Sequence, residues 1–319
     1  MSLQVPRIVV LVGPTAVGKS RLAMTLAEEF DAEIISADSR QVYRYMDIGT
    51  AKPSGEERAR IKHHMIDLVE PNDTYSARRF TEEGTRVLAA IANRGKLALV
   101  VGGTGFYIRG LLDGMSIPRV SPNAELRIRL RDEAAAHGPE VLHARLAGRD
   151  PVSAARIHPN NLPRLVRALE IVEQLGTPVP TALPTAALPA LFLGLTMERS
   201  DMYTAADIRV RAQVDAGLLD EAHNLLSMGY PRECPALTGF GYREMIAFID
   251  GRCDLPTAIA GYQGATRRYI RRQYTWFNAD PRIQWLDARS QQDRALSLVD
   301  GYLRQEPPDP LFESSKSDD

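Results

Sequence analysis

Cysteine is nearly missing from this chain. Its two copies among 319 residues, Cys234 and Cys253, stand far apart with no C-x-x-C spacing. That excludes a zinc finger, argues against a disulfide framework and makes a reducing cytoplasm the expected compartment. Long apolar runs are missing as well. No uninterrupted apolar stretch reaches spanning length, and the N-terminus runs almost straight into a first strand without a signal-peptide pattern, so no membrane partner is expected. A strong charge of either sign is also lacking. Against 39 basic side chains stand 40 acidic ones, a net charge of −1 that does not by itself announce a nucleic-acid binder. The apolar fraction of 44% and charged fraction of 25% are those of an ordinary globular protein, and no internal repeat is visible. At about 100–200 residues per domain, the length suits one large domain or two.

What is there begins with Gly13-Pro14-Thr15-Ala16-Val17-Gly18-Lys19-Ser20, a complete G-x-x-x-x-G-K-[ST] loop. It follows the apolar run Ile8-Val9-Val10-Leu11-Val12 and opens into a helical pattern from Arg21. Strand, loop and helix in that order give the pattern a physical basis. Glycines let the backbone wrap, and successive N–H groups point into one concavity at a helix N-terminus. Lys19 can reach the outer phosphate and Ser20 can hold a magnesium ion. The loop alone does not say which phosphate chain is bound.

Residues 1–115 alternate strand and helix. Strands are expected at 8–12, 33–37 and 97–101, with helices at 19–30 and 76–94. Unbroken apolar strands buried on both faces mean a parallel sheet covered by helices. From about residue 121 helices dominate, at 124–137, 139–147, 151–157 and 162–175, then a Pro, Ala and Thr-rich stretch at 177–190. A strand at 191–195 returns to the sheet. Helices follow at 201–228, 241–249 and 255–278, with a last strand at 283–286. The expectation is an α/β, P-loop NTPase-like parallel sheet flanked by helices. Its core comprises 1–120 and 190–319, with a helical insertion at 121–189 and a disordered tail at 306–319.

Four further stretches carry chemistry. Asp38, at the end of the second strand, should sit beside the phosphate loop, because strand C-termini face the ligand crevice in such sheets. It can hold magnesium, act as a general base, or merely cap a helix. Gly102-Gly103-Thr104-Gly105 is a second glycine turn at a strand end. It is either a plain strand-to-helix turn or a close backbone approach to a ligand, with Thr104 across the crevice from Ser20 and Asp38. His63-His64 invites a metal reading, but adjacent strand residues point to opposite sides and no other His or Cys lies at ligand spacing, so a structural or substrate-positioning role fits better. Thr266-Arg267-Arg268-Tyr269-Ile270-Arg271-Arg272, followed by Tyr274 and Trp276, suits RNA, by phosphate neutralisation and base stacking, as well as it suits a solvated helix face.

In order, Gly13–Ser20, Ser36-Ala37-Asp38-Ser39-Arg40-Gln41-Val42-Tyr43, Gly49-Thr50-Ala51-Lys52-Pro53, His63-His64-Met65-Ile66-Asp67, Val101-Gly102-Gly103-Thr104-Gly105-Phe106-Tyr107, Gly241-Tyr242-Arg243-Glu244 and Arg272-Gln273-Tyr274-Thr275-Trp276 resemble the bacterial tRNA dimethylallyltransferase family. The resemblance runs from about residue 7 to 287. It implies transfer of a dimethylallyl group from dimethylallyl diphosphate to N6 of adenosine 37 beside the anticodon, with diphosphate leaving. The loop would then hold the donor's diphosphate, and Mg2+ would be the cofactor. Thr15, Lys19 and Ser20 match positions that contact the diphosphate and its magnesium, and Asp38 matches the base that accepts the N6 proton. Asp38, Ser39, Arg40 and Gln41 match contacts to the target adenosine. Thr104, Arg127, Pro163, Arg164, Arg167, Gly241, Tyr242 and Arg243 match further tRNA contacts, so the helical insertion would grip the anticodon stem-loop. The sequence does not fix the oligomeric state, for which a monomer is the simplest expectation.

One departure bears on the diphosphate. The family usually carries two arginines four residues apart on the helix after the fifth strand. Here the second matches Arg209 and the first is Ala205, so Arg209 or Arg211 supplies the charge, or diphosphate binding is weaker. The rivals are a small-molecule kinase, which would use the loop for ATP without needing so large an insertion, an adenylate prenyltransferase acting on free AMP, and a non-catalytic RNA-binding module, against which intact Lys19, Ser20 and Asp38 argue.

Overall fold

The computed structural model describes residues 6–115, 117–180 and 187–305. The expected tail at 306–319 and part of the 177–190 stretch lie outside them. The chain divides into two compact units, one made of Met1–Gly114 with Ala186–Asp319 and the other of Met115–Thr185.

The first unit is a six-stranded parallel sheet. Its strands are β1 (Ile8–Val12), β2 (Ala32–Ala37), β3 (His63–His64), β4 (Leu97–Gly102), β5 (Leu191–Thr196) and β6 (Gln284–Asp287), in the order β3-β2-β4-β1-β5-β6. Its helices before the insertion are α1 (Lys19–Glu29), α2 (Gly55–Arg60), α3 (Ala77–Ala92) and α4 (Gly105–Leu112). The insertion supplies α5 (Ala124–His137), α6 (Pro139–Arg149), α7 (Pro151–Arg156) and α8 (Leu162–Leu175). After it come α9 (Arg199–Asp215), α10 (Leu218–Ser227), α11 (Tyr242–Ile249), α12 (Leu255–Phe277) and α13 (Gln292–Arg304).

The unbroken apolar strands are legible because each face of the sheet has its own core. On β1, Val9 and Leu11 pack with Leu22 and Leu26 of α1 and Val299 of α13. Ile8, Val10 and Val12 point the other way, to Phe80 and Leu88 of α3 and Leu111 of α4. A side core under α10 and α11 gathers Met46, Leu218, Leu225, Tyr242 and Met245. The helical unit has its own core, with Leu130, Leu142, Leu146, Leu165 and Leu169 all fully buried.

The fold is the P-loop NTPase-like α/β type that the sequence implied, with local differences. The single helix expected at 201–228 is two, because Gly217 takes φ +103°, a left-handed conformation that ends one helix and starts the next. The six-residue helix α2 and the two-residue strand β3 carry too little periodicity to stand out, whereas α13, not expected from the sequence, repeats Ala295, Val299 and Leu303 at helical spacing toward the core. The Ser54 capping box, in which Ser54 Oγ accepts the Glu57 N–H and Glu57 accepts that of Ser54, was the readable signal for α2.

Candidate active site

The strand order places the ends of β2, β4, β1 and β5 side by side, and the phosphate loop leaves β1 between the last two of its neighbours, β4 and β5. Within the loop Gly13, Ala16 and Gly18 all have positive φ, at +141°, +66° and +101°. That alternation aims successive N–H groups inward. A Cβ on Gly13 would stand 2.6 Å from Leu195 O, so the close approach of β5 requires glycine there. Gly18 opens α1, whose N-terminal dipole reinforces the anion-binding concavity.

Lys19 Nζ donates to Gly13 O at 2.9 Å and Pro14 O at 2.7 Å and has no carboxylate partner among the described residues. Burial, and after it the charge of Arg209, lower its pKa to about 7, against an upward pull from Asp38. Arg209, on α9, makes no ion pair or side-chain hydrogen bond among the described residues and is half-buried. Thr15, Lys19, Ser20, Asp38 and Arg209 line one cavity of about 260 Å3. A second, of about 430 Å3, shares Thr15, Asp38 and Arg209 and adds Ser39, Tyr269 and Arg272. Asp38 and Arg209 therefore stand where the two cavities meet. Arg209, rather than Arg211, faces them; Arg211 is exposed elsewhere on α9.

Asp38 Oδ1 accepts the Arg40 N–H at 2.8 Å, and Oδ2 has no partner among the described residues. Residues 39–42 form turns, so the helix-cap reading of Asp38 fails. Ser39, Arg40 and Gln41 follow, but the last two face inward. Arg40 donates to Pro235 O at 2.9 Å. Gln41 accepts from Ser36 Oγ at 2.7 Å and donates to Thr50 O and Ala51 O. Both hold the Asp38 turn against neighbouring loops. Thr104 does not lie across the crevice from Asp38, as expected, but beside it. The strands β2 and β4 are adjacent, and Thr104 Oγ1 accepts the Ser39 N–H at 3.0 Å.

The glycines of the second turn answer to α12. A Cβ on Gly103 would fall 2.1 Å from Gln273 Nε2, and one on Gly105 would fall 1.9 Å from Trp276 Nε1. Gly241 and Tyr242 open α11. Tyr242 is buried, and its hydroxyl donates to Glu221, so the ring builds the wall of the site. Arg243 is largely exposed and pairs with Glu244.

Two polar residues were given no role in the sequence, although Gln273 lies in the Arg272–Trp276 stretch that carries the resemblance. Gln273, 4% exposed, joins the phosphate loop to the Gly103 turn. Glu221 accepts the N–H groups of Asp47, Ile48 and Gly49 at 2.8, 2.8 and 3.1 Å, fixing the loop that carries Thr50 to the cavities. The Asp215-Ala216-Gly217 helix stop was the one available signal for Glu221, since it turns α10 toward that loop. Of the paired histidines, His64 is held by Glu33, whereas His63 lines the smaller cavity with Lys19, Ser20 and Asp38. His63 Nδ1–H donates to Ile61 O at 2.8 Å, and His64 Nε2 lies 2.6 Å from Glu33. Among the described residues, no group of three or more His, Cys, Asp or Glu side chains is placed to hold a metal.

In the helical unit the expected contacts divide. Arg127 grips the fully buried Glu170 with two bonds of 2.8 Å, and Arg167 also pairs with Glu170 while donating to Val120 O. Pro163 and Arg164 are exposed at the start of α8, and the Arg164 guanidinium has no partner among the described residues.

Known proteins of one family match this chain over most of its length. The pattern described as IPP transferase covers residues 41–280, and that described as isopentenyl transferase covers 6–69. The chain belongs to the IPP transferase family. A relative within it, a tRNA dimethylallyltransferase of Roseiflexus sp. (strain RS-1), is 44% identical over 300 residues, covering 93% of this chain and 98% of its own. Another so named, from Symbiobacterium thermophilum, is 45% identical over 292 residues, covering 90% and 91%. The crystal structure of the tRNA isopentenylpyrophosphate transferase of Bacillus halodurans matches with a TM-score of 0.70 at 36% identity, covering 93% of this chain and 96% of that one. A eukaryotic dimethylallyltransferase captured acting on tRNA matches at TM-score 0.78 and 27% identity, over 96% and 81%. This IPP transferase is therefore a prenyl-transferring enzyme by family as well as a P-loop protein by fold.

Proposed function

We propose that this chain transfers a dimethylallyl group from dimethylallyl diphosphate to N6 of adenosine 37 in tRNA, releasing diphosphate. The observation that carries the reading is the pairing of Lys19 with Arg209. Two basic side chains without a carboxylate partner among the described residues line the cavity at the phosphate loop beside Asp38. An anion bound there completes their charge balance, and the anion leaves as the new bond forms. The loop N–H groups, Lys19 and Arg209 stabilise the charge that grows on the departing oxygen. The amine nitrogen bonds to the allylic carbon, the carbon–oxygen bond to diphosphate breaks, and the N6 proton passes to Asp38. A conjugated exocyclic amine is a weak nucleophile, so a general base there is worth about 10²–10⁴ in rate.

Mg2+ fits the donor set as a partner of the diphosphate. The Ser20 hydroxyl is exposed at the helix start and Asp38 lines the same cavity, and magnesium typically binds through one or two protein groups plus substrate phosphates. When bound it neutralises charge on the leaving diphosphate.

The RNA reading rests on Arg268, Arg271 and Arg272, exposed on α12 without carboxylate partners among the described residues, and on Arg272 stacked over the Tyr269 ring at 5.7 Å. Exposed Arg164 of the helical unit suits the phosphates of the anticodon stem-loop. The adenine must leave its stack to reach Asp38, as in other base-modifying enzymes. We assign the protein to the cytoplasm as a monomer, where tRNA and two free cysteines are both at home.

The deciding experiment is incubation with labelled dimethylallyl diphosphate and, separately, bulk tRNA or AMP. Label in tRNA alone supports the proposal. Label in AMP makes the chain an adenylate prenyltransferase, and turnover of ATP without prenyl transfer makes it a kinase.

A further inference from the structure

Gln273 occupies a place in the site that neither the phosphate loop nor the aspartate turn explains. Its side-chain amide is buried and uses both ends. Oε1 accepts the Thr15 N–H at 2.9 Å, and Nε2 donates to Gly103 O at 3.1 Å. A backbone N–H can only donate and a carbonyl can only accept, so the orientation of the amide is determined by its neighbours. From Gly103 the linkage continues. Thr104 N–H donates to Ala37 O at 3.1 Å, and Thr104 Oγ1 accepts the Ser39 N–H at 3.0 Å. Ala37 and Ser39 flank Asp38. One glutamine thus ties a residue of the anion-binding loop to the turn that carries the base.

We infer that Gln273 is a positioning residue that sets the distance between the bound diphosphate and Asp38, an inference that rests on the prenyl-transfer reading above. Three features of the structure support a dedicated bridge over ordinary packing. Gln273 is buried on α12, and both polar ends of its amide are satisfied by backbone groups of two different loops. Gly103 has no Cβ, and one would sit 2.1 Å from Nε2, so the turn leaves room for the amide. Tyr269, one turn earlier on α12, reaches the same carbonyl at 3.4 Å, so two residues of one helix converge on Gly103 O. A misplaced loop costs an alkyl transfer heavily, because rate depends on the alignment of nucleophile, carbon and leaving group.

The test is Gln273→Glu. A carboxylate still accepts the Thr15 N–H but cannot donate to Gly103 O, and it faces that carbonyl with like polarity. The protonated acid restores the donor. We expect kcat for prenyl transfer to fall at least about tenfold at pH 8 and to recover toward wild type as pH falls toward 6, with KM for tRNA unchanged. Gly103→Ala keeps the glutamine but displaces its amide. It should lower kcat similarly, and should cost little further in a Gln273→Ala background. A Gln273→Glu enzyme as fast as wild type across pH, or additive losses in the Gly103→Ala and Gln273→Ala pair, would overturn the inference. If Gln273→Glu does not fold, Gly103→Ala with wild-type kcat overturns it alone. If the wild-type protein transfers no label to tRNA, the functional reading fails instead. Calorimetric affinity for inorganic diphosphate then decides the bridge. A loss of about tenfold in Gln273→Glu at pH 8 supports a linkage to the loop, and an unchanged affinity removes it.

Discussion

Lys19 shares its cavity with Arg209, and that neighbouring charge adds to burial in lowering the lysine pKa to about 7. The consequence is a proton linkage. In the free protein Lys19 loses its proton as pH rises through about 7. A bound diphosphate favours the charged amine and raises its pKa again. Donor binding at pH 8 should therefore take up a proton, and affinity should fall from pH 7 to pH 9. Calorimetry with inorganic diphosphate in buffers of differing ionisation enthalpy reads the uptake directly, and Lys19→Ala should bind more weakly and lose the slope. No proton uptake in the wild type would show that Lys19 does not face the diphosphate.

Arg209 and Arg211 separate two readings of the missing upstream arginine at Ala205. Arg209 lines the cavities with Lys19 and Asp38, whereas Arg211 is exposed elsewhere. Arg209→Ala should raise the KM for dimethylallyl diphosphate and lower kcat, together by about 10²–10³ in kcat/KM, the scale of losing one charge-stabilising donor. Arg211→Ala should stay within about twofold, the scale of a surface substitution. Steady-state kinetics on the two variants decides between them, and the reverse ranking would reassign the diphosphate contact.

Asp38→Ala should retain tRNA binding and lose transfer by about 10²–10⁴, the range for a general base. Its Oδ1 also holds the Arg40 amide, so Asp38→Asn, which keeps that acceptor, is the sharper variant. Normal turnover in Asp38→Asn would end its assignment as the base.

Glu221 supports three consecutive amides and the Tyr242 hydroxyl. Glu221→Ala removes the acceptor for all four donors at once, which should destabilise the fold by about 2–4 kcal/mol, since each buried donor left unsatisfied costs roughly 1–3 kcal/mol less what water recovers. Melting should fall by several degrees and transfer should weaken through the displaced Thr50 loop. Melting at the wild-type temperature would mean that the loop finds other partners.

Glu33 gives the acid side of the stability profile. Burial pushes its carboxyl upward, but hydrogen bonds from Arg94 and His64 more than offset this and leave it at about 2. A folded pKa below the ordinary value of 4.5 means that stability is present above pH 4.5 and lost as pH falls through about 2. Glu33→Gln should be less stable at pH 7 and should show a flatter loss between pH 4.5 and 2, measured by urea midpoints. An equal slope in both proteins would place the acid sensitivity elsewhere.

The sequence by itself determined the sheet, the loop and the chemistry of most single positions. Apolar strands such as 97–101 are continuous because both faces are buried, and the Gly13–Ser20 spacing is tied to a loop whose φ values only small residues readily adopt. The insertion helices were legible because Leu126, Leu130, Leu165 and Leu169 repeat at helical spacing. The tertiary structure alone decided who meets whom. Strand order set Thr104 beside Ser39 and not opposite it, because adjacency in a parallel sheet is not written in chain order. Arg209 over Arg211 was a question of helix phase relative to the loop, Gln273 stood in a recognised stretch without a legible role, and Glu221 had only a helix stop before it. Their partners are backbone N–H and C=O groups, identical at every residue, so only the folded chain shows which of them a buried amide or carboxylate will find.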